Sequence, residues 1–328
     1  MLPSLSIIVP IYNVENYLQE ALESLSPGQD REIILIDDGS SDQSWKISDS
    51  FAKKHPNVHL ISGPNRGYGA ACNIGLGVAS GDYLAIFEPD DVAEPGFYER
   101  LLAAAAATGA DLIKANGFTA FDESTEQLRE AVFSNHIGRK LGRDEALPLW
   151  TGHPCIWNGV MRRQTLEDTG VRFVEGPGAS FQDAQFQISL YYTIKTVYFI
   201  GDPGYRYRLH PQQSVNVADS KVAAVVSNWR EELSWLRQKK YDDLSYFIFN
   251  VFCQCLTLYS RRLEKPESRR QLLKGIRALT KESGCKSLDF FMATPLQKRL
   301  FKTLPLWPLP LVFEKILQGL RGCRGITV

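Results

Sequence analysis

The chain has 328 residues, enough for one large domain with an appendage or for two domains. Apolar residues make up 44% and charged residues 23%, as in soluble globular proteins, and a formal net charge of zero gives no indication of a nucleic-acid-binding protein. The charge is unevenly placed, however. Residues 261–328 carry 15 Lys and Arg against 5 Asp and Glu, which indicates an anionic partner surface, either a membrane or a nucleic acid.

Strand and helix patterns alternate through the first third of the chain. Short apolar runs predict strands, and the amphipathic or small-residue stretches between them predict helices. The predicted strands are residues 5–11, 32–36, 58–61, 83–87 and 111–114, and the predicted helices are residues 14–25, 41–54, 67–79 and 97–108. Strands separated by helices predict βαβ units and a mostly parallel sheet.

Polar residues follow three of these strands. Tyr12 and Asn13 follow the first, Asp37 and Asp38 end the second, and Glu88-Pro89-Asp90-Asp91 follows the fourth. Because ligands of such sheets bind beyond the carboxyl ends of the strands, we expect these groups to meet in one crevice. Clustered carboxylates suit a hard divalent cation that also binds phosphate. A solvated acidic turn is the alternative.

The second half of the chain is less regular and then becomes helical. It predicts a helix at 184–194, strands at 197–200 and 204–209, and helices at 223–236, 244–262 and 269–281. The last residues mix Trp, Phe and Leu with Lys and Arg, which suits an interfacial anchor on anionic lipid. A helical packing region or an oligomer contact explains the same composition.

The sequence lacks several signals that would indicate export or insertion into a membrane. The six cysteines have neither the spacing of a disulfide framework nor that of a zinc site, so we expect them to be reduced. The N-terminal residues lack the charged region and cleavage site of a signal peptide, and no apolar window of about 18 residues predicts a spanning helix. These features predict a cytoplasmic protein.

The order of the motifs is more specific than any one of them. Residues 8–13 read IVPIYN, residues 36–42 read IDDGSSD, residues 65–75 contain NRG and ACNIG, and residues 81–91 run from GDY to FEPDD. This series resembles family 2 glycosyltransferases, strongly over residues 5–102 and more weakly to residue 216. The resemblance implies an α/β GT-A (Rossmann-like) nucleotide-sugar domain over residues 1–216, followed by a helical C-terminal region over residues 217–328.

The resemblance also implies the donor site. The residues expected to bind the nucleotide sugar are Pro10, Tyr12, Asp37, Asp38, Arg66, Asn73, Glu88, Asp90, Arg208 and His210. Asp90 and Asp91 are expected to hold Mg²⁺ or Mn²⁺. Glu88 stands in place of the family's first Asp and reaches further, toward the ribose or a water. For Arg208 and His210, an ordinary strand with exposed side chains is the alternative.

An inverting transfer needs a base that takes the proton of the acceptor hydroxyl. In the family this base is often the Asp of a Glu-Asp pair before a helix, and Gln182-Asp183 stands in that place. Asp183 is therefore the expected base, with a helix N-cap as the other interpretation. Residues 176–180 suggest a mobile loop that closes over the sugar. Trp157 suggests either a platform for a sugar ring or a buried core residue.

These features predict an inverting transfer from a nucleotide sugar, expected to be a UDP-sugar, to a hydroxyl of a glycan or lipid-linked acceptor. The resemblance to the family implies a role in surface-polysaccharide assembly, and the C-terminal basic and aromatic segment is then expected to bind the inner face of the plasma membrane. No nucleic-acid partner is expected, and an oligomer is allowed. A catalytically silent nucleotide-sugar-binding scaffold subunit is the alternative, since Glu88 and Gln182 depart from the family pattern.

Overall fold

The computed structural model describes residues 2–25, 31–129, 136–143, 145–146, 155–176, 178–179, 181–213, 219–261 and 263–285. The chain divides into two compact units, Met1–Pro211 and Gln212–Val328. The predicted domain boundary at residues 216 and 217 lies outside the described residues. The predicted α/β class with a mostly parallel sheet, followed by helices, is confirmed.

An eight-stranded sheet forms the centre of the N-terminal unit. Its strands are β1 (Leu5–Ile11), β2 (Arg31–Asp37), β3 (Val58–Ser62), β4 (Tyr83–Ile86), β6 (Leu112–Ala115), β9 (Lys140–Gly142), β10 (Gly159–Arg162) and β11 (Thr196–Ile200). The order is β3-β2-β1-β4-β10-β6-β11-β9, and the first four strands run parallel. Strand β10 is antiparallel to both its neighbours. Every residue of β1 is buried, as expected for a central strand of a covered parallel sheet.

A second sheet contains β5 (Val92–Ala93), β7 (Phe118–Phe121), β8 (Glu126–Arg129) and β12 (Tyr205–Arg208). Its four strands lie in the order β5-β12-β7-β8. Strand β5 follows the acidic cluster directly in the sequence, and it pairs antiparallel with β12 through Tyr205 and Arg206. The small sheet thereby brings two parts of the chain that are distant in sequence to the end of β4.

Within the described residues, six helices accompany these sheets: α1 (Glu15–Ser24), α2 (Ser44–Lys54), α3 (Tyr68–Val78), α4 (Phe97–Thr108), α5 (Arg163–Thr169) and α6 (Gln182–Thr193). Helix α3 packs closely on β1. A Cβ at Gly75 would lie 2.3 Å from Cγ2 of Ile8, so only glycine permits this approach. Two of the described cysteines of this unit, Cys72 and Cys155, are buried and free, as predicted.

The C-terminal unit is helical in its described part. It contains α7 (Val222–Gln238), α8 (Ser245–Arg261) and α9 (Pro266–Ser283). Trp229 on α7 and Ile276 on α9 are completely buried, so apolar packing holds the helices together. No helix among the described residues is long and apolar enough to cross a membrane. The basic and aromatic segment predicted to anchor the chain lies beyond residue 285, outside the described residues.

Candidate active site

The two acids that end β2 organise the backbone around them. Asp38 accepts hydrogen bonds from the backbone N–H groups of Arg66 (2.7 Å) and Gly67 (2.8 Å). Asp37 accepts one from the hydroxyl of Ser62 at 3.1 Å. Both carboxylates are therefore engaged with the protein, and Asp38 fixes the loop that leads into α3. Contact of either acid with a nucleobase stays a prediction.

The segment after β1 presents one exposed ring. Pro10 is buried within the strand, whereas the side chain of Tyr12 is 50% exposed. The next residue, Asn13, has a positive φ of 52°, and its side-chain oxygen accepts a hydrogen bond from the N–H of Ser41 at 2.8 Å. The turn after β2 thus holds the turn after β1, and Tyr12 is left with a face that a planar ligand can approach.

Glu88 is the first acid after β4, and its carboxylate accepts a hydrogen bond from the Tyr68 hydroxyl at 2.6 Å. Burial raises the pKa of Glu88 to about 8, and the hydrogen bond from Tyr68 offsets this in part. The charges of Asp90 and Asp183 raise the pKa of Glu88 further. Glu88 is therefore largely protonated at neutral pH when no cation is bound.

Asp91 fastens the small sheet to the end of β4. Its side chain is completely buried, and it accepts hydrogen bonds from the Tyr205 hydroxyl and from the backbone N–H of Arg208, both at 2.8 Å. Burial, followed by the charge of Asp90, raises the pKa of Asp91 well above its usual range. Both carboxylate oxygens of Asp91 accept hydrogen bonds from residues of β12. This placement argues against Asp91 as a metal ligand and leaves Asp90 as the candidate.

Asp90 lies against His210, just beyond the end of β12. The Oδ2 atom of Asp90 and the Nε2 atom of His210 are 2.9 Å apart, and the His210 ring packs on Tyr17 with the ring centroids 4.3 Å apart. The Arg208 guanidinium donates to the backbone oxygen of Asp90 and to the carboxylate of Glu20 at 2.6 Å. His210 and Arg208 therefore both contact the acidic cluster. From the sequence, we expected these residues in one site with the cluster.

Asp183 is the second residue of α6, whose N-cap is Phe181 in the left-handed conformation. Asp183 is thus in the first turn of the helix, and the interpretation of Asp183 as the N-cap is wrong. Its negative charge raises the pKa of Glu88 and of Tyr68. Because such effects require proximity, Asp183 lies near Glu88 and Tyr68, on the side of the molecule where the acids follow the strands. Gln182 beside it donates a hydrogen bond to the backbone oxygen of Gly178 at 3.2 Å.

Asn73 holds the segment before α6, although we expected it to contact the donor. Its side-chain amide donates to the backbone oxygen of Phe173 at 2.9 Å and to Glu175 at 3.0 Å, and its oxygen accepts from the N–H of Phe173 at 2.9 Å. Arg66, also expected at the donor, forms an ion pair with Glu175 at 3.3 Å. Both residues position the chain that leads to Asp183.

Two glycines bring that segment onto the start of α3. A Cβ at Gly67 would lie 2.0 Å from the backbone oxygen of Gly176, and a Cβ at Gly69 would lie 2.1 Å from that of Val174. The backbone N–H of Tyr68 donates to the backbone oxygen of Gly178 at 3.2 Å. Part of the loop expected to close over the sugar, residues 177 and 180, lies outside the described residues; the described part contacts α3.

Aromatic residues of β12 complete the site and were not identified from the sequence. Trp157 is 4% exposed, and its ring stacks on Tyr205 and Tyr207 at 4.2 and 5.5 Å. The buried-core interpretation of Trp157 is therefore favoured over a sugar platform. The alternation of Tyr and Arg along β12, with Tyr205 and Tyr207 on one face, was the signal that could have identified the tyrosines.

The raised pKa of Glu88 predicts a pH-dependent stability. A carboxyl whose pKa is higher in the folded than in the unfolded protein favours folding at low pH, and this advantage is lost as pH rises from 4.5 toward about 8. In chelator-containing buffer, Glu88→Gln and the wild type should have the same free energy of unfolding below about pH 4.5. Above about pH 8 Glu88→Gln should be more stable than the wild type, by about 4–5 kcal/mol, because each unit of pKa difference corresponds to about 1.4 kcal/mol. Urea titrations across this range measure the difference.

The matched control is Glu123→Gln, on an exposed turn, for which we expect no such trend. A gain for Glu88→Gln that is the same at every pH would contradict the prediction.

Comparison with known proteins connects this geometry to a family. Residues 6–170 match the family model described as glycosyl transferase family 2. The chain is 29% identical over 224 residues to the putative glycosyltransferase EpsH of Bacillus subtilis, covering 67% of this chain and 65% of EpsH. It is 39% identical over 102 residues to the minor teichoic acid biosynthesis protein GgaB of Bacillus subtilis, covering 30% of this chain and 11% of GgaB. The chain thus spans less than two thirds of the length of either relative.

A solved structure shares the fold. S. aureus TarS 1-349, crystallised in complex with UDP-GlcNAc, superposes with a TM-score of 0.74 at 17% sequence identity, over 97% of this chain and 92% of that chain. At this identity the likeness establishes the GT-A fold.

Proposed function

We propose, because the chain belongs to glycosyl transferase family 2, that this glycosyltransferase moves a sugar from a UDP-sugar to an acceptor hydroxyl with inversion at the anomeric carbon. One observation carries the proposal: the segment that leads to Asp183, at the start of α6, contacts the beginning of α3, where the Tyr68 hydroxyl donates a hydrogen bond to Glu88 after β4. This contact supports a single site that contains the proposed base and the acids of the donor side, as a one-step displacement requires.

The residues at the acidic cluster fit a divalent cation in part. Asp90 and His210 offer a carboxylate oxygen and a ring nitrogen 2.9 Å apart, whereas no group of three or more His, Cys, Asp or Glu suited to a metal occurs among the described residues. Mg²⁺ typically takes one or two carboxylates, with substrate phosphates and water for the rest. We therefore assign Mg²⁺ or Mn²⁺ to the carboxylate of Asp90, with the ring nitrogen of His210 beside it as a second candidate ligand. When bound, the cation would neutralise charge on the diphosphate.

In the proposed reaction Asp183 accepts the proton of the acceptor hydroxyl. The acceptor oxygen forms a bond to the anomeric carbon, and the bond from that carbon to the diphosphate oxygen breaks, so the nucleoside diphosphate leaves with the electron pair. Asn73 and Arg66 act as positioning residues, because they hold the segment that precedes Asp183. Pro10 and Tyr12 lie on the donor side, where the exposed ring of Tyr12 would pack on the base.

The choice of donor and acceptor rests on the relatives. UDP is favoured because TarS binds UDP-GlcNAc in its crystal, and a cell-surface polymer is favoured as the acceptor because GgaB takes part in minor teichoic acid biosynthesis. A lipid-linked acceptor would require work at a membrane surface. We propose that the C-terminal unit supplies a peripheral contact there.

Thermal unfolding with a panel of nucleotide sugars tests the donor assignment. A matched donor binds only the folded state, so a UDP-sugar with Mn²⁺ should raise the midpoint, and excess chelator should remove the effect. The same panel on Asp90→Asn should show no cation-dependent gain. Stabilisation by NAD and by no nucleotide sugar would overturn the assignment. Stabilisation by a GDP-sugar alone would replace UDP while retaining the family reaction.

A scaffold subunit without catalytic activity is the second candidate. It is favoured by two departures at the site, Glu88 with its raised pKa and Gln182, which cannot titrate. A scaffold would bind the donor as the enzyme does but would release no UDP in the presence of an acceptor. Donor binding and UDP release, measured on the same preparation, separate the two.

A further inference from the structure

The C-terminal unit contains a groove that takes no part in the proposed reaction. It lies between α7 and α9 and has a volume of about 540 Å³. Its lining residues are Val226 and Arg230 of α7 and Glu267, Arg270, Gln271, Lys274, Gly275 and Ala278 of α9. At its floor the two helices are in close contact, since a Cβ at Gly275 would lie 2.7 Å from Cγ2 of Val226. Gly275 and Ala278 leave the space above this contact open.

The rim of the groove is positively charged. Arg230, Arg270 and Lys274 line it, against one acid, Glu267. All three cations are exposed to solvent. None of the three forms an ion pair within the described part of the chain, where Arg237 of the same unit does pair with Glu282. An apolar floor below a cationic rim suits a ligand that is itself amphipathic and anionic.

The positive charge extends along the helix beyond the groove. Arg277 and Lys281 continue the spacing of Arg270 and Lys274, so four exposed cations follow one face of α9 over three turns. A stripe of this length matches an extended anionic surface better than a single small anion. The buried face of α9, which includes Leu272 and Ile276, packs into the unit.

The chain that follows α9 has the composition of a membrane-surface segment. Residues 286–328 carry 7 Lys and Arg against 2 Asp and Glu, together with Trp307 and several Phe and Leu. Basic residues beside aromatic and apolar ones are typical of contacts with anionic lipid. The groove and this sequence are neighbours along the chain, and both favour the same partner.

We propose that the groove between α7 and α9 holds the phosphate-bearing headgroup of an anionic phospholipid, so that the basic face of α9 lies on an acidic bilayer. Arg230, Arg270 and Lys274 bind the headgroup phosphate, and the apolar floor receives the adjoining part of the lipid. The inference deepens the peripheral contact proposed above and names its site. Its test measures binding without sugar transfer, so its failure is distinct from failure of the transferase reaction.

Co-sedimentation of the full chain with vesicles tests the proposal. Binding to phosphatidylcholine vesicles that contain phosphatidylglycerol should exceed binding to phosphatidylcholine alone and should weaken as salt is raised. The double reversal Arg270→Glu/Lys274→Glu should bind the acidic vesicles at least roughly thirtyfold more weakly, from the contribution of two basic residues near a membrane. Thermal unfolding of each variant verifies that it is folded.

The matched control is Lys46→Glu/Lys54→Glu, which makes the same change of net charge at exposed positions of α2. It should bind as the wild type does. Equal loss in both double variants would overturn the site, because net charge alone would then explain binding. Unchanged binding by Arg270→Glu/Lys274→Glu would overturn it as well. Displacement of the protein by soluble glycerol phosphate, at the concentration of the lipid phosphate, would assign the groove to a free anion instead.

Discussion

Asp183→Asn should slow sugar transfer severely while leaving donor binding intact. Asparagine keeps the size of the side chain in the first turn of α6 but cannot accept the proton of the acceptor hydroxyl. General-base catalysis contributes about 10²–10⁴-fold, so kcat should fall by this factor. The KM for the donor should change little, because the substitution leaves the acids at the ends of β2 and β4 in place. UDP release with a matched acceptor measures both values.

Asp168→Asn provides a control for the loss of one acidic charge. Asp168 lies on α5, where it accepts a hydrogen bond from Gln164 at 2.7 Å. We expect this variant to transfer sugar at the wild-type rate. Full transfer by Asp183→Asn would mean that another group is the base. Donor binding without UDP release in the wild type itself would favour the scaffold alternative.

Asp91→Ala should be strongly destabilising, whereas Asp91→Asn should not be. Alanine leaves the Tyr205 hydroxyl and the backbone N–H of Arg208 without the acceptor that they now share. Two unmet buried donors cost about 2–5 kcal/mol of unfolding free energy. Asparagine retains an acceptor oxygen for the backbone N–H of Arg208, and its amide nitrogen can donate to the Tyr205 hydroxyl, which also accepts hydrogen bonds. We therefore expect Asp91→Asn to lose less than about 1 kcal/mol in urea titrations.

The same variant decides between two metal assignments. If Asp91 serves β12, Asp91→Asn retains the stabilisation that Mn²⁺ gives together with the donor, whereas Asp90→Asn loses it. A folded Asp91→Asn protein that no longer responds to Mn²⁺ would restore the original expectation that Asp91 is a ligand. The comparison needs only thermal unfolding with the donor, in the presence of either Mn²⁺ or a chelator.

Central elements could be predicted from the sequence because their signals are local. Strand β1 was predicted at its observed residues, since a covered parallel strand is an unbroken apolar run. Helix α4 was also predicted at its observed residues. It lies between Gly96 and Gly109, which both have positive φ and give the chain a sharp beginning and end.

The strands that the sequence did not predict depend on partners far along the chain. Strand β5 has two residues and exists because β12 pairs with it. Strand β10 lies antiparallel between β4 and β6. Its four residues contain no periodic pattern from which this position could be predicted. Short segments of this kind take their conformation from tertiary contacts, which a local pattern does not contain.

In the candidate site, too, some features could be predicted from the sequence and others could not. That the acids follow β2 and β4 could be predicted, because parallel strands end on one edge of a sheet. The contacts that each acid makes in the folded protein could not be predicted from the sequence. Asp91 serves Tyr205, 114 residues away, and Asn73 holds Phe173, 100 residues away. A motif identifies the type of side chain, whereas the direction in which its oxygens point follows from contacts that form only in the folded chain.

The main-chain contacts of Gly67 and Gly69 have a consequence for how this protein can diversify. At these two glycines the halves of the site touch through backbone atoms, so the separation at that contact does not depend on the length of a side chain. We therefore expect side chains at the ends of β1, β2 and β4 to be exchangeable without moving the segment before Asp183, so that a different sugar or acceptor could be admitted. That freedom depends on two positions where even one added methyl group would force the halves apart.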